Sequence, residues 1–136
     1  MRDLVTIEQA RFHLRIDDVD SDGGADDGWL ETFIPAISEA VASWLKDEWR
    51  LYELLRDSAG DVVLDSSGDP VPATDSAGDP IPRKVVQGAV LIELGSQFRF
   101  REGEGDNVVP QDAGHGYVLS KGATALLSAL RKSTVK

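Results

Sequence analysis

The chain of 136 residues carries 24 Asp and Glu against 14 Lys and Arg, a formal net charge of −10, with 41% apolar residues and no cysteine. That length suits one domain with a modest core, and the missing cysteines exclude a disulfide framework and a thiolate metal site. The charge has the wrong sign for gripping nucleic-acid phosphates, which takes clustered Lys and Arg. No window approaches the run of roughly 18 apolar residues that a membrane span needs. Residues 1–5 also lack the apolar core of a secretory leader, so a cytosolic protein is expected.

The first element opens on a capping box. Thr6 can cap the Gln9 amide while the Gln9 side chain reaches back to Thr6. A short helix from Ile7 to about Leu14 is predicted, with Ile7, Ala10 (or the Arg11 stem) and Leu14 on its inner side and Val5 stapled onto its first turns. The acidic run at 17–27 follows. Asp18, Asp20, Asp22, Gly23 and Asp26 fit positions of a calcium-binding EF-hand loop, but the closing position, where a bidentate Glu belongs, is Trp29. A solvated loop that caps the next helix is the better reading, and no metal is expected.

The stretch 29–49 organises the chain. Leu30, Phe33, Ile34, Ile37, Val41, Trp44 and Leu45 recur at steps of three and four, one apolar stripe on a helix packed against a core. Glu31, Ser38, Glu39, Ser43, Lys46 and Asp47 read as its solvated back, with 26–28 supplying cap and charge at its start. Pro35 predicts a kink, or a start later than Asp27.

Beyond it the chain repeats a theme. Asp57-Ser58-Ala59-Gly60-Asp61, Asp65-Ser66-Ser67-Gly68-Asp69 and Asp75-Ser76-Ala77-Gly78-Asp79 are turn chemistry, because Asp and Ser bond back to the backbone and Gly takes a left-handed position. Short apolar pieces between them read as brief strands, too few and too unevenly spaced for a solenoid. Residues 56–82 are therefore expected to form a protruding β-hairpin or extended loop. Pro82 then starts a second long helix, from Arg83 to about Phe100, apolar on a broad face. A loop rich in Gly and Asp follows, and Ser120 caps a last helix over roughly 122–132 with Ala123, Leu126, Leu127 and Leu130 inward. The fold class expected is mainly α: one domain, 1–136, a small bundle of two long and two short helices carrying that excursion.

These residues resemble the head–tail connector (adaptor) proteins of tailed bacteriophages and gene transfer agents. Residues 4–17 look like that family's opening signature, followed there too by an acidic stretch and a helix like 30–45. Residues 82–91 are similar to its second core helix and 125–131 to its closing helix, whereas 56–80 have no counterpart. The resemblance implies a structural virion protein, made in the host cytoplasm and ending at the head–tail interface. It implies a homo-oligomeric ring, commonly dodecameric, under the portal protein, extending the DNA channel and receiving the next neck or tail protein (stopper or terminator). DNA would pass without specific binding, since an acidic wall offers it no fixed counterions.

Within that reading the C-terminal region 120–136 is expected to dock on the portal through Leu126, Leu127, Leu130, Arg131, Lys132 and Lys136, a narrow apolar stripe with a basic tip. The alternative for this helix is closure of the core. Val62, Val63, Val71 and Ile81, with Trp29 and Trp49 as anchors, are expected at a subunit or tail interface; Trp44 reads as core. A catalytic reading finds little. His13 and Asp17 lie one helical turn apart with no nucleophile nearby, and His115 sits in a loop. No enzyme and no cofactor are expected. The rival function is a small acidic helical module that binds or regulates a protein.

Overall fold

The computed structural model describes residues 3–15, 27–99 and 119–131. Four α-helices make it mainly helical and bundle-like: α1 (Ile7–Leu14), α2 (Asp27–Leu45), α3 (Lys84–Arg99) and α4 (Lys121–Leu127), with one 3-10 turn at Glu48–Leu51. The α1 capping box forms as the sequence predicts, Thr6 Oγ1 accepting from Gln9 N at 3.1 Å and Gln9 Oε1 from Thr6 N at 2.8 Å. Arg15 ends this helix in the left-handed region, φ 59°, and its N–H reaches back to Arg11 O and Phe12 O.

On α2 the apolar stripe faces the core: Leu30, Ile34, Ile37, Val41 and Leu45 are all buried. Burying each such side chain stabilises by about 1.5–3 kcal/mol before the entropy of ordering is subtracted. Pro35 does not delay the helix, which begins at Asp27. It sits on the exposed face, where the Glu31 carbonyl that it leaves without a donor can take water. Asp27, the first residue of the helix, pairs with Arg11 on α1, Nε to Oδ1 3.1 Å. The helix stops at Leu45, and Lys46 turns left-handed at φ 75°.

One residue assigned to the solvated back of α2 lies inside. Ser38 has no exposed surface, and its Oγ accepts the Leu4 N–H at 3.1 Å. Its position between Ile34 and Val41 puts it on the buried flank of the helix, and the hydroxyl meets a backbone group that would otherwise be orphaned. On α3, Val86, Ala89, Val90 and Leu94 are buried together with Glu93. The last helix is shorter than predicted, its regular turns ending at Leu127. Ser120 caps it as expected, accepting from Ala123 N at 3.3 Å, and Glu93 Oε2 holds the Ser120 N–H at 2.8 Å.

Candidate functional site

The excursion expected as a hairpin or loop contains no β-strand; its pairing is a set of single antiparallel bridges. Each Asp-Ser-x-Gly-Asp repeat closes one arm. In the first, Gly60 N donates to Asp57 O at 3.0 Å, and Asp57 Oδ1 accepts from Ala59 N at 2.9 Å and Asp61 N at 3.0 Å. The other two arms repeat these bonds with Asp65 and Asp75. Gly60, Gly68 and Gly78 sit at φ 87°, 85° and 85°, the left-handed position that a three-residue turn loop assigns to glycine.

The arms branch from two closed triangles of backbone hydrogen bonds. In the outer triangle Leu55 N donates to Val71 O (2.8 Å), Val71 N to Val63 O (2.9 Å) and Val63 N to Leu55 O (3.0 Å). In the inner one Glu53 N donates to Ile81 O (2.8 Å), Ile81 N to Ala73 O (3.0 Å) and Ala73 N to Glu53 O (2.7 Å). The arms at 57–61 and 65–69 leave the outer triangle, and the arm at 75–79 leaves the inner one. A stem through the Leu54 and Pro72 pair joins the triangles, and the Tyr52 and Pro82 pair roots the tree in the body. The uneven repeat spacing is this branching: Val63 alone stands between the Arg56–Val62 and Leu64–Pro70 bridges, whereas Val71, Pro72 and Ala73 stand between Pro70 and the Thr74–Pro80 bridge.

Proline marks the same geometry. Pro70, Pro72, Pro80 and Pro82 all occupy bridge positions, while the ladder donors at Val71, Ala73, Ile81 and Arg83 alternate with them. A missing N–H costs nothing at a position that donates to nobody.

The root is buried, with Leu51 and Tyr52 in the core, but Leu55 and Leu64 are 42% and 57% exposed. Val62, Val63, Val71 and Ile81, the expected interface residues, are all half-buried within the tree. Its large exposed apolar side chains are therefore two leucines that the sequence reading did not single out. The signal was there, since turn-bounded pieces too short to build a core still carry large apolar side chains.

Trp29 stacks on Phe33 with centroids 4.5 Å apart and meets Phe98 edge-on at 5.2 Å, so part of its ring is used inside the chain. Trp49 lies under the Arg50 guanidinium at 4.5 Å. Arg50 also donates to Leu130 O at 2.6 Å, and Arg131 covers Trp44 at 4.3 Å. Of the expected portal-docking residues, Leu127 is fully buried and Leu130 packs against the core, while Leu126 is 37% exposed. Lys132, Lys136, His115 and the acidic residues 17–26 lie outside the described residues.

A cavity of about 740 Å³ lies between residues 3–9, the first half of α2 and the third arm, with Leu4, Ile34, Tyr52 and Pro80 in its wall and carboxylates at Asp3, Glu31, Asp75 and Asp79. Its one hydroxyl nucleophile outside tyrosine is Thr6, whose oxygen already accepts Gln9 N, and no imidazole lines it among the described residues. Nor do the described residues gather three metal-ligating side chains in one place, and no helix among them is long and apolar enough to cross a membrane. The described residues also present exposed leucines on a tree of hydrogen-bonded turns. No protein-family model, no curated protein and no solved structure matches the chain.

Proposed function

We propose that this chain is a head–tail connector: a non-enzymatic adaptor that forms a ring under a phage portal, continues the DNA channel and offers a landing surface to the next neck or tail protein. The reading rests on the helical body, with its helices in the order short, long, long, short; the branched segment, which has no counterpart in the resembling family, adds a projecting surface. That segment is rooted in the core at Leu51 and Tyr52 yet adds nothing to that core beyond its root, and backbone bonds together with the Asp57, Asp65 and Asp75 carboxylates hold it in shape. A preformed projection of this kind loses little entropy on meeting a partner, which suits a protein whose work is contact. The net charge of −10 supports the same reading, because DNA finds few fixed cations to hold it in such a channel.

Portal docking is assigned to the basic end, Arg131 with Lys132 and Lys136, which would steer towards an acidic partner. The test is electron microscopy and light scattering of the full chain alone and mixed with its portal protein. A ring seated on the portal is the expected result. A chain that stays small and leaves the portal bare would instead be the regulatory module.

A further inference from the structure

Among the described residues the large exposed apolar side chains are Phe12 (89%), Leu64 (57%), Leu55 (42%), Ile92 and Leu126 (37% each). They fall in two unlike places. Leu55 sits in the outer junction of the tree and Leu64 at the foot of its second arm. Phe12, Ile92 and Leu126 lie on the helical body, Phe12 on α1 and the other two where α3 meets α4.

A groove follows from two close helix contacts. Gly88, Leu91, Ile92 and Gly95 share one stripe of α3. On one side of it α1 packs: a Cβ built on Gly95 would lie 3.4 Å from His13 Nε2, and Phe12, His13, Arg15 and Leu91 line a common hollow. On the other side lies α4, where a Cβ on Gly122 would come 3.1 Å from Ile92 Cγ2 and one on Gly88 3.5 Å from Leu126 Cδ1. The glycines keep the floor low, and Phe12 and Leu126 stand on the two walls.

We propose that the outer tip of the tree in one copy, through Leu64, seats in the α1–α3–α4 groove of a second copy of this chain. Three observations lead there. Both surfaces stay exposed in the single chain, so a copy's own tip does not fill its own groove. The two surfaces are different from each other, which makes the contact head-to-tail, the kind that closes into a ring when the rotation allows. The charges are also complementary. The outer arms carry Asp57, Asp61, Asp65 and Asp69, with Arg56 turned to Gly60 O. Arg15 lines the hollow beside Phe12, and Lys84 and Lys121 are exposed on α3 and α4; none of the three forms an ion pair among the described residues. A small apolar centre inside a rim of opposite charges is the anatomy of a specific interface.

The inference takes its biological meaning from the connector reading, but the contact stands or falls by itself. The experiment is light scattering on the full chain, on Leu64→Asp and on Leu126→Asp, with circular dichroism to verify that both variants keep their helices. The wild type is expected to self-associate and each variant to fall to the 14.7 kDa of one chain. Mixed in equal amounts, the two variants should give a one-to-one dimer, because the mixture still holds one intact tip and one intact groove. A wild type that is monomeric at every concentration, a variant that keeps the wild-type mass, or a mixture that stays monomeric each overturns the contact.

A second arm avoids charged substitutions. The chain has no cysteine of its own, so Leu64→Cys mixed with Ile92→Cys should give a disulfide-linked dimer on mild oxidation, well beyond what either gives alone. Equal yields in the three samples overturn the proposal. Rings that persist in both Asp variants and still bind portal sink this contact and spare the connector reading. The dimer pattern without portal binding does the reverse.

Discussion

The Ser38 hydroxyl accepts a hydrogen bond from the Leu4 backbone N–H at 3.1 Å, and the Leu4 carbonyl accepts another from Gln87 Nε2 at 3.1 Å. Both polar groups of one buried N-terminal residue are thus held by side chains of the two long helices. Ser38→Ala removes the acceptor and leaves a buried donor unmatched, a cost of about 1–3 kcal/mol. The neighbouring Glu39→Ala, on the exposed face, is expected to stay within about 0.5 kcal/mol of wild type. Urea denaturation of the pair checks this, and equal midpoints would show that water replaces the lost hydroxyl.

Glu93 acts at longer range. It is 1% exposed, and its carboxylate joins the start of α4 to the middle of α3 through Ser120 N. A negative group there also suits the positive end of a helix. Glu93→Leu should cost about 1.5–3 kcal/mol, the range for a hydrogen bond to a charged group, and Glu93→Gln less, since its amide oxygen can still accept. Hydrogen exchange in residues 120–127 is the readout. Protection unchanged in the Leu variant would mean that α4 is held by its apolar contacts alone.

What was legible in the sequence was what local chemistry decides. The capping box at Thr6, the stripe on α2 and the cap at Ser120 are set by neighbours within a turn or two. Ser38 was misread because its partner is Leu4, far away in the chain; polarity argued for solvent, and a backbone N–H argued otherwise. Glu93 was passed over for the same reason. The tree was half legible: the repeats announced turns, but single-residue linkers such as Val63 hide a three-way junction that no period reports. Phe12 fell off the inner stripe of α1, which is itself the sign of a surface residue, and the groove it borders exists only once α1 and α4 flank α3.

The arms should behave as local units. Gly68→Ala forces an alanine into φ 85° with open space around it, so the penalty is backbone strain of about 1–2 kcal/mol. Because the arm contributes nothing to the core, the thermal midpoint of the helices is expected to stay put while the amides of Val71 and Asp69 exchange faster. A lowered global midpoint would show that the tree and the body unfold together.

The acidic run 17–27 is expected not to take up calcium. Its closing position is Trp29, whose ring is stacked on Phe33 at 4.5 Å, and Asp27 already faces Arg11. A bidentate carboxylate is what gives such loops their affinity. Calorimetric titration with calcium should show no stoichiometric site in the micromolar range; a clear one-to-one isotherm would overturn this.

Two truncations separate the core role of the C-terminal region from its proposed docking role. Ending the chain after Gly122 removes Leu127 and Ala123, both fully buried, and uncovers the α3 surface they protect. Losing one buried leucine alone costs about 2–5 kcal/mol, a large part of what a domain of this size has to spare. That variant is expected to lose its cooperative melt or aggregate. Ending the chain after Arg131 keeps every buried contact of α4, the Arg50 bond to Leu130 O and the cover over Trp44. It removes only Lys132 and Lys136 from the charged tip, so the fold and midpoint should be those of the full chain, while association with portal slows and becomes less sensitive to salt. Portal binding identical in rate and salt dependence would remove these lysines from the docking surface and leave the helix as core alone.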